Sequence, residues 1–230
     1  MENTGKFEIK KWKTVTAAVM LIVALISSIG SSIIEINYFI LIKGLEKGKS
    51  FSDSEILFTE KLVNFAGIGQ LAITIVCAIP FCLWFYQAYN NLLVLGVKGL
   101  KYSPAWAVGS FFVPILNLSR PQYIAKEIWN ASEPNSVSSE SNNWAEVSEP
   151  TIISCWWISF LLPTALKAIN SLFFTDLFDK GKTFSELQYS SIFFILSNLS
   201  WAVSAVFAIL LIFEINKKQQ QKYSIISSTK

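Results

Sequence analysis

The chain has 230 residues, of which 52% are hydrophobic and only 15% charged, and its formal net charge is +3. Soluble domains carry about 25% charged residues. This deficit, with a mean hydropathy of +0.45, makes lipid the expected solvent. The small charge, spread along the flanks of apolar runs, argues against nucleic acid as a partner. The absence of histidine removes the commonest metal ligand and general base.

Residues 1–13 carry Lys6, Lys10, Lys11 and Lys13, and an apolar run follows from Val15 to Ile42. A cleaved signal has an apolar core of about 7–15 residues. This run is longer and reads as an uncleaved first transmembrane helix, since about 20 residues span the hydrocarbon. Ser27/Ser31 and Ser28/Ser32 place small residues four apart, which suits close helix packing in lipid. A polar loop from Gly44 to Lys61 leads to a second run, Leu62 through Pro80 and Trp84 to Leu95. That is more than a span needs, so Tyr86, Gln87, Tyr89, Asn90 and Asn91 are expected in headgroups or water, beyond a kink at Pro80. Gly96 and Gly99 read as turn glycines.

Ala105–Leu118 is apolar but short and punctuated by Pro104, Pro114 and Pro121. A segment of about 10–14 residues reads as re-entrant or interfacial. Pro121 then opens a short helix with Ser119 at its N-cap. Ile124 and Ile128 share one face and Lys126 and Glu127 are placed on others, as in an interfacial amphipathic helix. Residues 133–150, with Glu133, Glu140, Glu146 and Glu149, read as an acidic flexible linker. A third span covers Thr151–Phe174. After a loop with Lys180, Gly181 and Lys182, a fourth covers Leu187–Ile215, and the tail from 217 to 230 is polar.

The expected fold is a single all-α membrane domain. Hairpin one covers 14–95, a central inner-face segment 96–132, and hairpin two 151–216. Lys47-Gly48-Lys49-Ser50-Phe51-Ser52 matches Lys180-Gly181-Lys182-Thr183-Phe184-Ser185 at an offset of 133, and Ile36-Asn37 matches Ile169-Asn170. This implies an internal repeat, with the two hairpins in parallel orientation. Twelve lysines and arginines lie on the N-terminal flank, central segment and tail, against five in the hairpin loops. The positive-inside bias places both termini and the central segment in the cytoplasm. Trp12, Trp84, Trp106, Trp129, Trp156 and Trp157 then fall near the inner interface.

Glu35 sits inside the first span and Lys167 at nearly the same depth in the third. A charge there costs about 2.5–3.5 kcal/mol on insertion scales. The two are expected to pair, or to share a polar cluster with Asn37 and Asn170. Such a cluster serves either as an ion or proton relay or as a structural lock, unless both charges snorkel to the headgroups. At the inner face, Asn90, Asn91, Asn117 and Arg120 are candidates for a phosphate-bearing lipid headgroup, with Arg120 as bidentate donor. The alternative for the asparagines is satisfying backbone groups freed by the prolines. Cys77, Cys82 and Cys155 read as small buried hydrophobes. No catalytic residue, metal ligand or cofactor site is assigned, because no nucleophile elbow or zinc-protease motif appears.

Trp84-Phe85-Tyr86-Gln87-Ala88-Tyr89-Asn90-Asn91-Leu92, Leu95-Gly96 and Tyr102-Ser103-Pro104-Ala105-Trp106-Ala107-Val108-Gly109 form one distinctive block. It continues through Phe112-Val113-Pro114, Asn117-Leu118, Arg120-Pro121 and Glu127-Ile128-Trp129 to Trp156-Trp157. Across about residues 65–215 this resembles the bacterial membrane family known as domain of unknown function 4328. The resemblance implies a multi-pass membrane protein, with the central block as the shared element and no catalytic assignment. The functional expectation is a non-enzymatic scaffold or accessory protein in the bacterial cytoplasmic membrane. It would meet membrane lipids, another membrane protein or a second copy of itself. The alternative is a small oligomeric transporter or channel using the Glu35/Lys167 cluster.

Overall fold

A computed structural model describes residues 7, 9–134, 150–174 and 183–228. The elements in order are α1 (Lys11–Glu46), α2 (Asp53–Val94), α3 (Pro104–Gly109), a 3₁₀ turn (Leu116–Leu118), α4 (Arg120–Ala131), α5 (Thr151–Phe174) and α6 (Phe184–Ser228). There is no strand among the described residues. The expected linker, apart from its ends, and the Lys180–Lys182 half of the repeat lie outside them.

Four helices, α1, α2, α5 and α6, are long and apolar enough to cross a membrane. Their burial pattern fits lipid as the solvent. Large apolar side chains such as Phe65, Ile68 and Leu172 point outward, while the buried positions are rich in alanine and serine, as at Ala17, Ser28, Ser32, Ser191, Ser197 and Ala208. Small residues let helix backbones approach where lipid tails leave no hydrophobic drive between helices. This is an all-α multi-pass membrane fold.

The helix ends follow from local chemistry. α1 stops in a Schellman turn: Lys49 N–H reaches Gly44 O, Gly48 N–H reaches Leu45 O, and Gly48 takes φ 77°. α2 stops the same way, with Val97 N–H on Leu92 O, Gly96 N–H on Leu93 O, and Gly96 at φ 73°. α2 begins at Asp53, well before the expected Leu62, because Ser52 and Glu55 form a capping box. Ser52 N–H donates to Glu55 Oε2 (2.9 Å) and Glu55 N–H to Ser52 Oγ (3.3 Å). α6 begins with an equivalent box, Thr183 and Glu186. The two boxes are 131 residues apart, whereas the matching loop sequences are offset by 133. The similar loops therefore hand over to helix at different residues.

α6 also runs past the expected end at Ile215 to Ser228. Lysine and glutamine are good helix formers, and Gln219 and Lys222 are buried rather than solvated. Residues 105–118 form no continuous helix: α3 spans only six residues, and turns lead from it to the 3₁₀ element.

The chain packs as two compact units that do not coincide with the two hairpins. One contains the chain up to Leu21, Cys77–Trp157 and Phe207 onward; the other contains Ile22–Val76 and Ile158–Val206. All four long helices contribute to each. The central block, with the six tryptophans grouped above, belongs wholly to the first.

Candidate functional site

In the first unit, the central segment is built around α2. Phe81, Trp84 and Phe85 form an aromatic cluster with Phe111 and Trp156, and Phe111 also meets Trp157; Phe85 and Phe111 meet edge to face at 5.5 Å. Trp157 Nε1–H donates to Leu118 O (3.0 Å), so the double tryptophan opening α5 both packs on the central segment and anchors its backbone. Trp84 Nε1–H donates to Asn216 Oδ1 (3.1 Å), and Asn216 Nδ2–H to Thr14 Oγ1 (2.9 Å), tying α2 to α6 and α1.

A turn and a half further along α2 lies a buried polar node. Tyr89, fully buried, donates its hydroxyl to Glu127 Oε1 (3.3 Å) and accepts Tyr102 N–H (2.9 Å). Lys101 N–H donates to the same carboxylate oxygen at 2.6 Å. Glu127 Oε2 has no hydrogen-bond partner among the described residues. Burial pushes the Glu127 carboxyl above its usual range, against the opposing pull of Lys101 N–H and the Tyr89 hydroxyl. The node fastens the loop after Gly99 to α2 and α4. Glu127 thus lies inside the buried stripe of α4, with Ile124, Ile128 and Ala131, and not on a separate solvent face as expected. Positions three and four apart share a helical face, so the spacing puts Glu127 with Ile124 and Ala131. Its charge made it look exposed.

Asn91 Nδ2–H donates to Gln219 Oε1 (2.9 Å), and Gln219 Nε2–H to Ala88 O (2.7 Å) and Ser132 Oγ (3.2 Å). Lys222 Nζ donates to Ala131 O (2.8 Å), placing a cation on the last carbonyls of α4. Lys218 pairs with Glu133 and lies over the Trp129 ring. Asn91 therefore meets a side chain, not backbone freed by a proline. Asn90 is half-buried, and Asn117 Oδ1 lacks a partner among the described residues. Ser103 caps α3 by accepting Trp106 N–H (3.3 Å), with Pro104 in its first turn. Ser119 sits at the N-cap of α4, but its side chain makes no capping bond; Pro121 follows, buried, in the first turn. Pro114 is exposed in the turns between α3 and the 3₁₀ element. Arg120 lies over the rings of Tyr102 (5.9 Å) and Trp106 (6.0 Å).

The second unit holds Glu35, Asn37, Lys167 and Asn170, but the four do not form one polar cluster. Glu35 is buried and takes a hydrogen bond from Ser191. Lys167 and Asn37 are exposed, and the expected Glu35–Lys167 pair does not form. Lysine's long stem lets it stay on the outside of α5 while a carboxylate finds a hydroxyl inside. Asn170 accepts from Ser190 Oγ (2.9 Å). Gln70, which the sequence did not single out, bridges two serines of α1: Ser27 Oγ–H donates to Gln70 Oε1 (2.8 Å), and Gln70 Nε2–H to Ser28 Oγ (3.0 Å). Ser200 Oγ–H donates to Ser159 O (2.9 Å). The serine spacing in α1 pointed to a packed seam, and Gln70 is what that seam packs against. Asn216 and Gln219 carry no expectation from the sequence, and Lys222 counts there only as a basic residue of the polar tail.

Fold and site together define a multi-pass membrane protein organised around an aromatic- and proline-rich block. The model of the family described as Domain of unknown function (DUF4328) matches residues 48–217, and the chain belongs to that family. No curated protein and no solved structure matches the chain.

Proposed function

We propose that the protein is a non-enzymatic scaffold or accessory subunit of the bacterial cytoplasmic membrane, with both termini and the central segment on the cytoplasmic side. One observation carries this reading: polar side chains between the long helices are committed to one another. Gln70 with Ser27 and Ser28, Asn170 with Ser190, and Asn91 with Gln219 join helix to helix. Such bonds stabilise a bundle. The central segment, re-entrant or interfacial in this reading, is left to meet lipid headgroups or a partner protein. The lysine and arginine bias supports the sidedness.

A second reading rests on Glu35, a carboxyl buried in a spanning helix with a serine and, among the described residues, no basic partner. An intramembrane acid of this kind is the usual element of a proton or ion path, here in an oligomeric transporter. Purified protein in proteoliposomes separates the two. No proton or cation flux, together with a protein that co-purifies through the central segment, supports the scaffold. Flux that Glu35→Gln abolishes without loss of fold overturns it.

A further inference from the structure

We propose that Arg120 and the apolar strip preceding it form a phospholipid site, with the lipid phosphate on the guanidinium and the acyl chains along Phe112, Ile115 and Leu118. The proposal rests on the inner-face reading above and names the ligand of that face.

The strip is built to face outward. Phe111 turns in to Phe85 and Trp157, and the Leu118 carbonyl is held by the Trp157 indole. Their neighbours Phe112 and Ile115 are left 72% and 81% exposed, and Leu118 62%. Two residues beyond Leu118, Arg120 is held by aromatic rings, and the capped first turn of α3 fixes Trp106, one of the two. No carboxylate pairs with Arg120 among the described residues. Its N–H donors are therefore not spent on an acid. A planar fork with free donors matches a phosphate's paired oxygens, and the adjoining tryptophan is at home at headgroup level. A free anion gains nothing from the neighbouring strip, whereas a phospholipid satisfies both halves. The shared phosphodiester is what the site reads, so zwitterionic and anionic phospholipids both fit.

The test is native mass spectrometry of the full chain in mild detergent, titrated separately with phosphatidylglycerol and phosphatidylcholine. Both lipids should be retained by the wild type. Arg120→Gln should weaken retention by about tenfold or more, the worth of a charge-assisted hydrogen bond, with Arg120→Lys in between. Ile115→Gln, at an exposed position with no change of charge, should also weaken it, and excess inorganic phosphate should not displace lipid. Retention by Arg120→Gln equal to wild type overturns the site. Full displacement by inorganic phosphate overturns the lipid assignment in favour of a free-anion site. If Arg120→Gln does not fold, Ile115→Gln and the phosphate competition decide the matter. Ion flux in proteoliposomes would overturn the scaffold reading and leave this site standing; unchanged lipid retention would do the reverse.

Discussion

Tyr89→Phe removes one hydroxyl from the buried node of the central segment, and the structure sets its cost. The hydroxyl accepts Tyr102 N–H at 2.9 Å; Tyr89 is fully buried and Tyr102 half-buried, so solvent replaces the bond only in part. An unsatisfied buried N–H costs about 1–3 kcal/mol. The bond to Glu127 Oε1, at 3.3 Å, is long and adds less. The expected loss is about 2 kcal/mol, or about 4–8 °C at about 2–4 °C per kcal/mol for a chain of this size. Glu127→Gln keeps an oxygen for Lys101 N–H and removes a buried charge, so it should fall within about 1 kcal/mol of wild type. The double variant should be less destabilised than the sum of the singles, with a coupling of about 0.5–1.5 kcal/mol. Thermal melting in detergent, followed by circular dichroism, measures all three. The reasoning fails if Tyr89→Phe melts with the wild type, or if the two changes simply add.

The same node makes stability pH-dependent. Burial raises the folded-state value of Glu127 above its usual 4.5, so the folded chain binds this proton more tightly than the unfolded one. The contribution is complete below 4.5 and is lost as pH rises through the raised folded value. Glu127→Gln should flatten the melting profile over that window. Gln219→Leu leaves Asn91 Nδ2 without its acceptor in a fully buried position and should cost about 1–3 kcal/mol in the same assay. Gln70→Leu breaks both bonds to α1, yet interhelical bonds in membranes average about 0.6 kcal/mol; a loss near 1 kcal/mol is expected, and one above 3 would contradict that account. Ser52→Ala and Thr183→Ala each remove one capping oxygen and should each cost about 0.5–2 kcal/mol.

The membrane fold was legible because hydropathy is a local property: about 20 apolar residues in a row must go into lipid whatever surrounds them. The capping boxes were equally local, Ser52 with Glu55 and Thr183 with Glu186, and they correct helix starts that hydropathy alone placed too late. The two matching loops hand over to helix at different positions, the capping residues Ser52 and Thr183 being 131 apart where the sequences are offset by 133. Glu127 shows another limit. It is three residues from Ile124 and four from Ala131, but only a tyrosine hydroxyl and a backbone N–H from elsewhere in the chain can make burial of a carboxyl tolerable.

Composition and apolar run length therefore determined by themselves that this is a multi-pass helical membrane protein with a proline-broken centre. Its family could be read from the tryptophan, asparagine and proline pattern of that centre. Tertiary structure alone decided which polar residues meet. Glu35 finds Ser191 instead of Lys167, Asn91 finds Gln219 more than a hundred residues away, and Arg120 settles on Tyr102 and Trp106. Hydrogen-bond partners are set by which helices touch and how they are rotated, and neither is written in the apolarity of any one helix.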